Sequence, residues 1–360
     1  MRTIKTLVLT VLFVAATLAQ GQQVQNPTNK TGVIGLMHVI HSTNDVDKTL
    51  AFYHDVFALN GRVGGFDPKG PRILTNSPTA TLRVAMTNLK GLIPRGLNFE
   101  LTEFGDLERQ MNKRPDIQDS GAPMMKLLVR DLDAVVANAK KVNAPVVTKG
   151  GMPVTAPTAI GSAKAFIVRD PDGYFIEAIQ ATPAIVSATD AIPAPAGRAG
   201  APPPAPAPPS QVVGAIIGLT VRDMDETLKY WNGVLGMEMP AAEKFSSDQV
   251  MLDLMGLPKG ASYRVSSGVV SGSQARIEFI EIKGVPRKAF DLRVTDAMAC
   301  GMALQVGHIG ALLAKIKANG GRVLSKDEVL VEWSDTLRNV FVKDPNGLNL
   351  ELVGSADPNL

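Results

Sequence analysis

Two glutamates occupy the same place in a stretch that the chain writes twice. Residues 169–179 read RDPDGYFIEAI and residues 343–353 read KDPNGLNLELV, so Asp170, Pro171, Gly173 and Glu177 recur as Asp344, Pro345, Gly347 and Glu351. Asp-Pro opens a tight turn, because proline fixes φ and the glycine takes the positive-φ position, and the flanking apolar runs supply the two strands of a hairpin. Side chains alternate along a strand, which puts Glu177 on one face with Phe175 and Ile179, and Glu351 on one face with Asn349 and Val353. A carboxylate set in such a strand accepts hydrogen bonds inside the fold, holds a cation or moves a proton.

Other residue types with chemistry are few. His38 lies on a strand face with Ile40 and Ser42, where an imidazole is either a ligand or a core or rim residue with one hydrogen-bond partner. Lys126 shares a face with Met124 and Leu128 and can neutralise a carboxylate, hold an anionic ligand or run its stem out to the rim. Met124 fills a core, thioether ligation of a soft metal being the minor use. The single cysteine, Cys300, excludes an internal disulfide and is expected to be a buried, inert thiol. His41, His54 and His308 read as surface or helix residues.

These side chains need elements to position them. The segment 34–44 is a strand running into a helix that Ser42 or Asn44 can cap, with Val46, Leu50, Tyr53 and Phe57 at helical spacing on its apolar face. Strands follow around 62–66, 81–87 and 97–104. The order then repeats, with a strand at 124–129, a helix at 131–143 and strands at 145–147, 164–169 and 174–180. Beyond residue 210 it is restated twice: a strand at 213–221, a helix after Asp223 with Met224, Leu228, Trp231 and Leu235 at the earlier spacing, strands near 262–270 and 275–282; then 302–307, a helix lined by Ile309, Leu312, Leu313 and Ile316, and strands at 322–324, 338–343 and 348–353. The chain thus holds four β-α-β-β-β units in two pairs.

Length and composition frame this organisation. With 360 residues, 45% hydrophobic and 20% charged, the chain suits two soluble domains, and a net charge of +3 with 5% aromatics carries no nucleic-acid footprint. Arg2 and Lys5 precede the apolar run Leu7 to Ala19, which is too short to span a bilayer. Residues 1–21 therefore read as a secretory signal peptide, leaving a periplasmic or secreted mature protein without a membrane span. Residues 182–210 are Pro/Ala-rich and form a semi-rigid linker between a first domain at 33–181 and a second at 211–354.

Paired β-α-β-β-β units, the strand to Asp-x-Asp to helix openings in NDVDKTLAFYHDVFAL and RDMDETLKYWNGVLGM, and the DPDG and DPNG hairpins with Glu four residues after the Gly resemble the vicinal oxygen chelate superfamily, which includes glyoxalase, bleomycin resistance and extradiol dioxygenase proteins. The resemblance implies an α+β fold of tandem domains, each built from two consecutive units that form a half-open β cup with helices outside. It also implies metal ligands on the first, fourth, fifth and eighth strands of each domain. In the first domain these places hold His38, Glu100, Met124 and Glu177, a set for Zn²⁺, Ni²⁺, Mn²⁺ or Fe²⁺ in which Glu177 or Glu100 moves a proton and Met124 and Lys126 line the pocket. Met124 replaces the usual histidine and speaks against catechol ring cleavage. In the second domain they hold Ile216, Glu278, Gly301 and Glu351, and no metal is expected there. The implied function is a metal-dependent lyase, isomerase or dioxygenase acting on a small oxygen-bearing substrate; the alternative is a metal-free protein that sequesters a small molecule. The implied partners are that small molecule and either a second copy or the chain's own other domain.

Overall fold

A computed structural model describes residues 31–89, 97–111, 113–158, 161–182, 184, 210–273 and 275–355. The expected signal peptide and nearly all of the expected linker lie outside these residues. Among the described residues no helix is long and apolar enough to cross a membrane.

Four units of similar build follow one another. The first contains β1 (Val33–Thr43), α1 (Val46–Phe57), β2 (Gly61–Phe66), α2 (Lys69–Leu74), β3 (Thr81–Leu89) and β4 (Leu97–Gly105). The second contains β5 (Pro123–Val129), α3 (Leu132–Lys141), β6 (Val154–Thr158), β7 (Gly161–Arg169) and β8 (Phe175–Thr182). The third contains β9 (Val212–Val221), α4 (Met224–Gly233), α5 (Gln249–Leu254), β10 (Ser262–Val269) and β11 (Arg276–Lys283). The fourth contains β12 (Cys300–His308), α6 (Ile309–Ala318), β13 (Arg322–Val323), β14 (Val331–Glu332), β15 (Leu337–Lys343) and β16 (Asn349–Ser355).

The Asp-x-Asp openings are capping devices. Asp45, rather than Asn44 or Ser42, caps α1 by accepting from the Lys48 N–H, and Asp131 and Asp223 do the same for Ala134 and Glu226 at α3 and α4. The second acid of each pair sits in the positive first turn. The strand expected at 145–147 reduces to a single bridge between Val146 and Val168, and β6 takes the edge position instead.

The strands form two cups with the helices outside. One sheet runs β13-β15-β16-β12-β1-β4-β3-β2, with β14 on β15; the other runs β10-β11-β9-β5-β8-β7-β6. The first and second units therefore do not share a cup, nor do the third and fourth, although the sequence order leads one to expect both pairings. β1 lies antiparallel to β12, and β5 antiparallel to β9, so the fourth unit closes the first and the third closes the second.

The first unit is joined to the second, and the third to the fourth, through hairpins instead. Asp170 Oδ1 accepts the backbone N–H groups of Asp172, Gly173 and Tyr174, which closes the turn, and Oδ2 reaches across to His41 Nε2 at 2.7 Å and Tyr53 OH at 3.2 Å in the first unit. Asp172 accepts from Thr49 Oγ1 and from the Asn44 N–H, both at 2.7 Å. The second copy repeats the device: Asp344 accepts from Trp231 Nε1 at 3.3 Å, and Asn346 joins Thr227 and the Arg222 N–H. His41 is accordingly a fully buried residue and not a surface one. It shares its strand face with Val39, on the side that α1 covers. The largest apolar cluster ties α1, α3, α4 and α6 to Val39, Leu101, Leu127, Ile217 and Met302, and so belongs to both sheets at once.

Candidate functional site

Each cup places one nitrogen base between two glutamates. In the first cup the base is His38 on β1, whose Nε2 lies 3.3 Å from Glu100 Oε2 on β4 and 3.7 Å from Glu351 Oε2 on β16. The companion oxygens are pinned: Thr102 Oγ1 donates to Glu100 Oε1 at 2.7 Å and Asn339 Nδ2 donates to Glu351 Oε1 at 2.9 Å. Both free oxygens thus turn toward the imidazole. The side chains of His38 and Glu100 keep 14% and 20% exposure, which leaves the group open to a ligand.

Electrostatics follow from this half-burial. Burial lowers the His38 pKa, against the pull of the Glu100 charge, and so favours the neutral imidazole that a metal ion requires. Burial, with the negative Glu100 beside it, pushes Glu351 up to about 7, although the Asn339 hydrogen bond works the other way.

In the second cup the base is Lys126 on β5. Its Nζ lies 3.0 Å from Glu177 Oε2 on β8 and makes a close ion pair with Glu278 Oε1 on β11. All three residues are buried. Burial alone would lower the lysine pKa, but the two carboxylates outweigh it and hold the ammonium well above the ordinary lysine range. Glu177 is raised by burial despite Lys126. Met124, Ile216, Phe175 and Met251 close the cup around them in an apolar cluster.

The registers show that these are two versions of one site. In the first cup Ala303 pairs with His38 on one side and with Glu351 on the other. In the second, Lys126 pairs with Ile216 and with Glu177. The base has moved one strand sideways between them.

Of the residues expected to act together, His38 and Glu100 meet, whereas Glu177 lies in the other sheet with Lys126 and Met124. Its place beside His38 is taken by Glu351, from the half of the chain where no site was expected. Nothing in the sequence could separate the two glutamates, because both follow the same hairpin at the same spacing. Gly301 holds the place that Met124 holds in the second cup and offers no side chain.

His41, Asp170 and Asp172 are a further group whose ligand atoms lie within 4.8 Å of one another and which by residue type could hold a metal ion. Their carboxylate oxygens, however, already accept the hairpin and helix hydrogen bonds described above, which makes the group a docking knot. Cys300 is buried beside the Tyr174 hydroxyl, 3.2 Å away, and burial pushes its thiol up to about 12, so it is inert as expected.

Known proteins share this fold. Residues 214–352 match the model of the Glyoxalase/Bleomycin resistance protein/Dioxygenase superfamily. Glyoxalase I from Zea mays is similar in fold at 18% identity, with a TM-score of 0.53 over 89% of this chain and 92% of that one. A mutant of the Zea mays enzyme gives the same TM-score of 0.53 at 17% identity, over 89% of this chain and 93% of that one. A glyoxalase family protein from Bacillus cereus is similar at 14% identity over 39% of this chain and 91% of that one, with a TM-score of 0.34. No curated protein matches the chain. Residues 214–352 thus match the Glyoxalase/Bleomycin resistance protein/Dioxygenase superfamily, and over 89% of its length the chain shares the fold of the Zea mays enzyme.

Proposed function

We propose that the first cup takes up a divalent cation through His38, Glu100 and Glu351, and that the chain, once exported, acts there on a small oxygen-bearing substrate as a lyase, isomerase or dioxygenase. One observation carries the reading: two pinned carboxylates aim their free oxygens at the Nε2 of a neutral, accessible imidazole. One nitrogen and two oxygen donors suit Zn²⁺, Ni²⁺, Mn²⁺ or Fe²⁺. When bound, such a cation polarises adjacent substrate oxygens as a Lewis acid. Thr102 and Asn339 keep the carboxylates oriented, and a glutamate of the pair would have to leave the cation in part before it could take a proton. Glu351 must lose its proton to become a ligand, so uptake of the cation releases protons.

A second reading, metal-free sequestration of a small molecule in the same cup, is favoured by the missing side chain at Gly301. It is favoured too by the fact that His38, Glu100 and Glu351 do not all lie within 4.8 Å of one another, as the ligand atoms of His41, Asp170 and Asp172 do. Metal analysis of the purified mature protein beside His38→Ala separates the two. About one equivalent in the wild type and none in the variant supports the cation site; none in either supports sequestration.

A further inference from the structure

The second cup keeps both carboxylates of the first yet is arranged to refuse a cation. We infer that Lys126 is an internal counter-ion standing where the second cup would otherwise hold a metal ion, so that this cup is a latent cation site. The inference deepens the proposed function and rests on it only for the likeness between the cups.

Three observations support it. The Lys126 ammonium contacts a carboxylate oxygen from each side, as the His38 imidazole does, but at shorter range and with all three residues buried. It occupies the register position of Ala303, so the space that is left beside His38 in one cup is filled by a lysine stem in the other. The carboxylates are also incompletely satisfied: Glu177 Oε1 is buried without a hydrogen-bond partner, although the buried Arg276 guanidinium adds its charge on the Glu278 side. A lysine held protonated in this way has no free amine, which excludes a nucleophilic role.

The test moves the base back across one strand. Lys126→Ala combined with Ile216→His gives the second cup the donor set of the first. After dialysis against Zn²⁺, the double variant is expected to hold about one equivalent more than its parent, and Glu278→Gln added to it is expected to abolish the gain. No gain in a variant whose near-ultraviolet circular dichroism matches the parent overturns the inference. Because the count is a difference, it holds whether or not the first cup binds metal, and failure of the proposed function would show separately in the parent. Should the double variant not fold, the charge-neutral Lys126→Met/Glu177→Gln/Glu278→Gln decides. If the lysine serves only as a counter-ion, this triple variant folds with an unchanged or higher Tm; collapse of it assigns Lys126 another structural task and overturns the inference.

Discussion

A neutral imidazole and a buried ammonium meet the same demand, two carboxylates brought together on a curled sheet, with opposite consequences. His38 can join the glutamates in holding a cation; Lys126, itself a cation, cannot. Removing Lys126 alone leaves two buried carboxylates unpaired, so Lys126→Met is expected to destabilise the protein by roughly 3–5 kcal/mol in denaturant unfolding. Glu351 makes a pH-dependent contribution with a definite sign. Its folded pKa of about 7 lies above the ordinary 4.5, so the native state binds more protons than the unfolded state between those values. Its contribution is therefore fully present at low pH and lost as pH rises through about 7, by roughly 3 kcal/mol at most. His38, with a lowered pKa, works in the opposite direction, so the test is a difference. Metal-free Glu351→Gln should gain stability relative to wild type as pH rises from 5 to 8; a constant difference would contradict the burial of an ionisable Glu351. At this scale the sequence picked out residues that meet inside the fold, since His38, Glu100, Glu177, Glu351 and Lys126 all reach a cup. It could not show which glutamate joins which base, because the pairing depends on contacts of β1 with β12 and of β5 with β9, between different halves of the chain.

The elements were more legible than their contacts. Alternation and helical spacing located nearly every long strand and helix, because each buries one continuous apolar face. The short α2, α5 and β14 carry too few residues for a period to show. The repeated DPDG and DPNG stretches read correctly as hairpins, but their second duty was hidden: Asp170 and Asp344 satisfy their own turns and also fasten onto the helix of the preceding unit. Replacing Asp170 strips the acceptor from three backbone N–H groups, a tyrosine and a buried histidine in one step. Asp170→Ala is expected to lower stability by roughly 3–5 kcal/mol. His54→Ala, at an exposed site on α1, should change it by less than about 0.5 kcal/mol. Comparable effects from both would remove the hairpin's docking role.

Over the whole molecule, the two halves of the sequence are not the two halves of the structure. Residues 33–181 and 211–354 each give one unit to each cup, and the main apolar cluster crosses between them. Tandem repetition made sequential pairing the natural expectation, since β5 and β12 offer β1 equally apolar edges of similar length. Fragments 22–181 and 211–360, prepared separately, are therefore expected to lack cooperative thermal unfolding alone and to regain it on mixing as a 1:1 complex. Independent cooperative folding of each as a monomer would contradict the shared cups.

His38 and Glu100 of the first unit and Glu351 of the fourth form one site, and metal stoichiometry tests that union directly. With wild type, Glu351→Ala and Glu177→Ala compared after identical loading and dialysis, the expected result is loss of the bound divalent ion in Glu351→Ala and its retention in Glu177→Ala. Retention in Glu351→Ala with loss in Glu177→Ala would contradict it, because His38 would then be working with the glutamate of its own half of the chain.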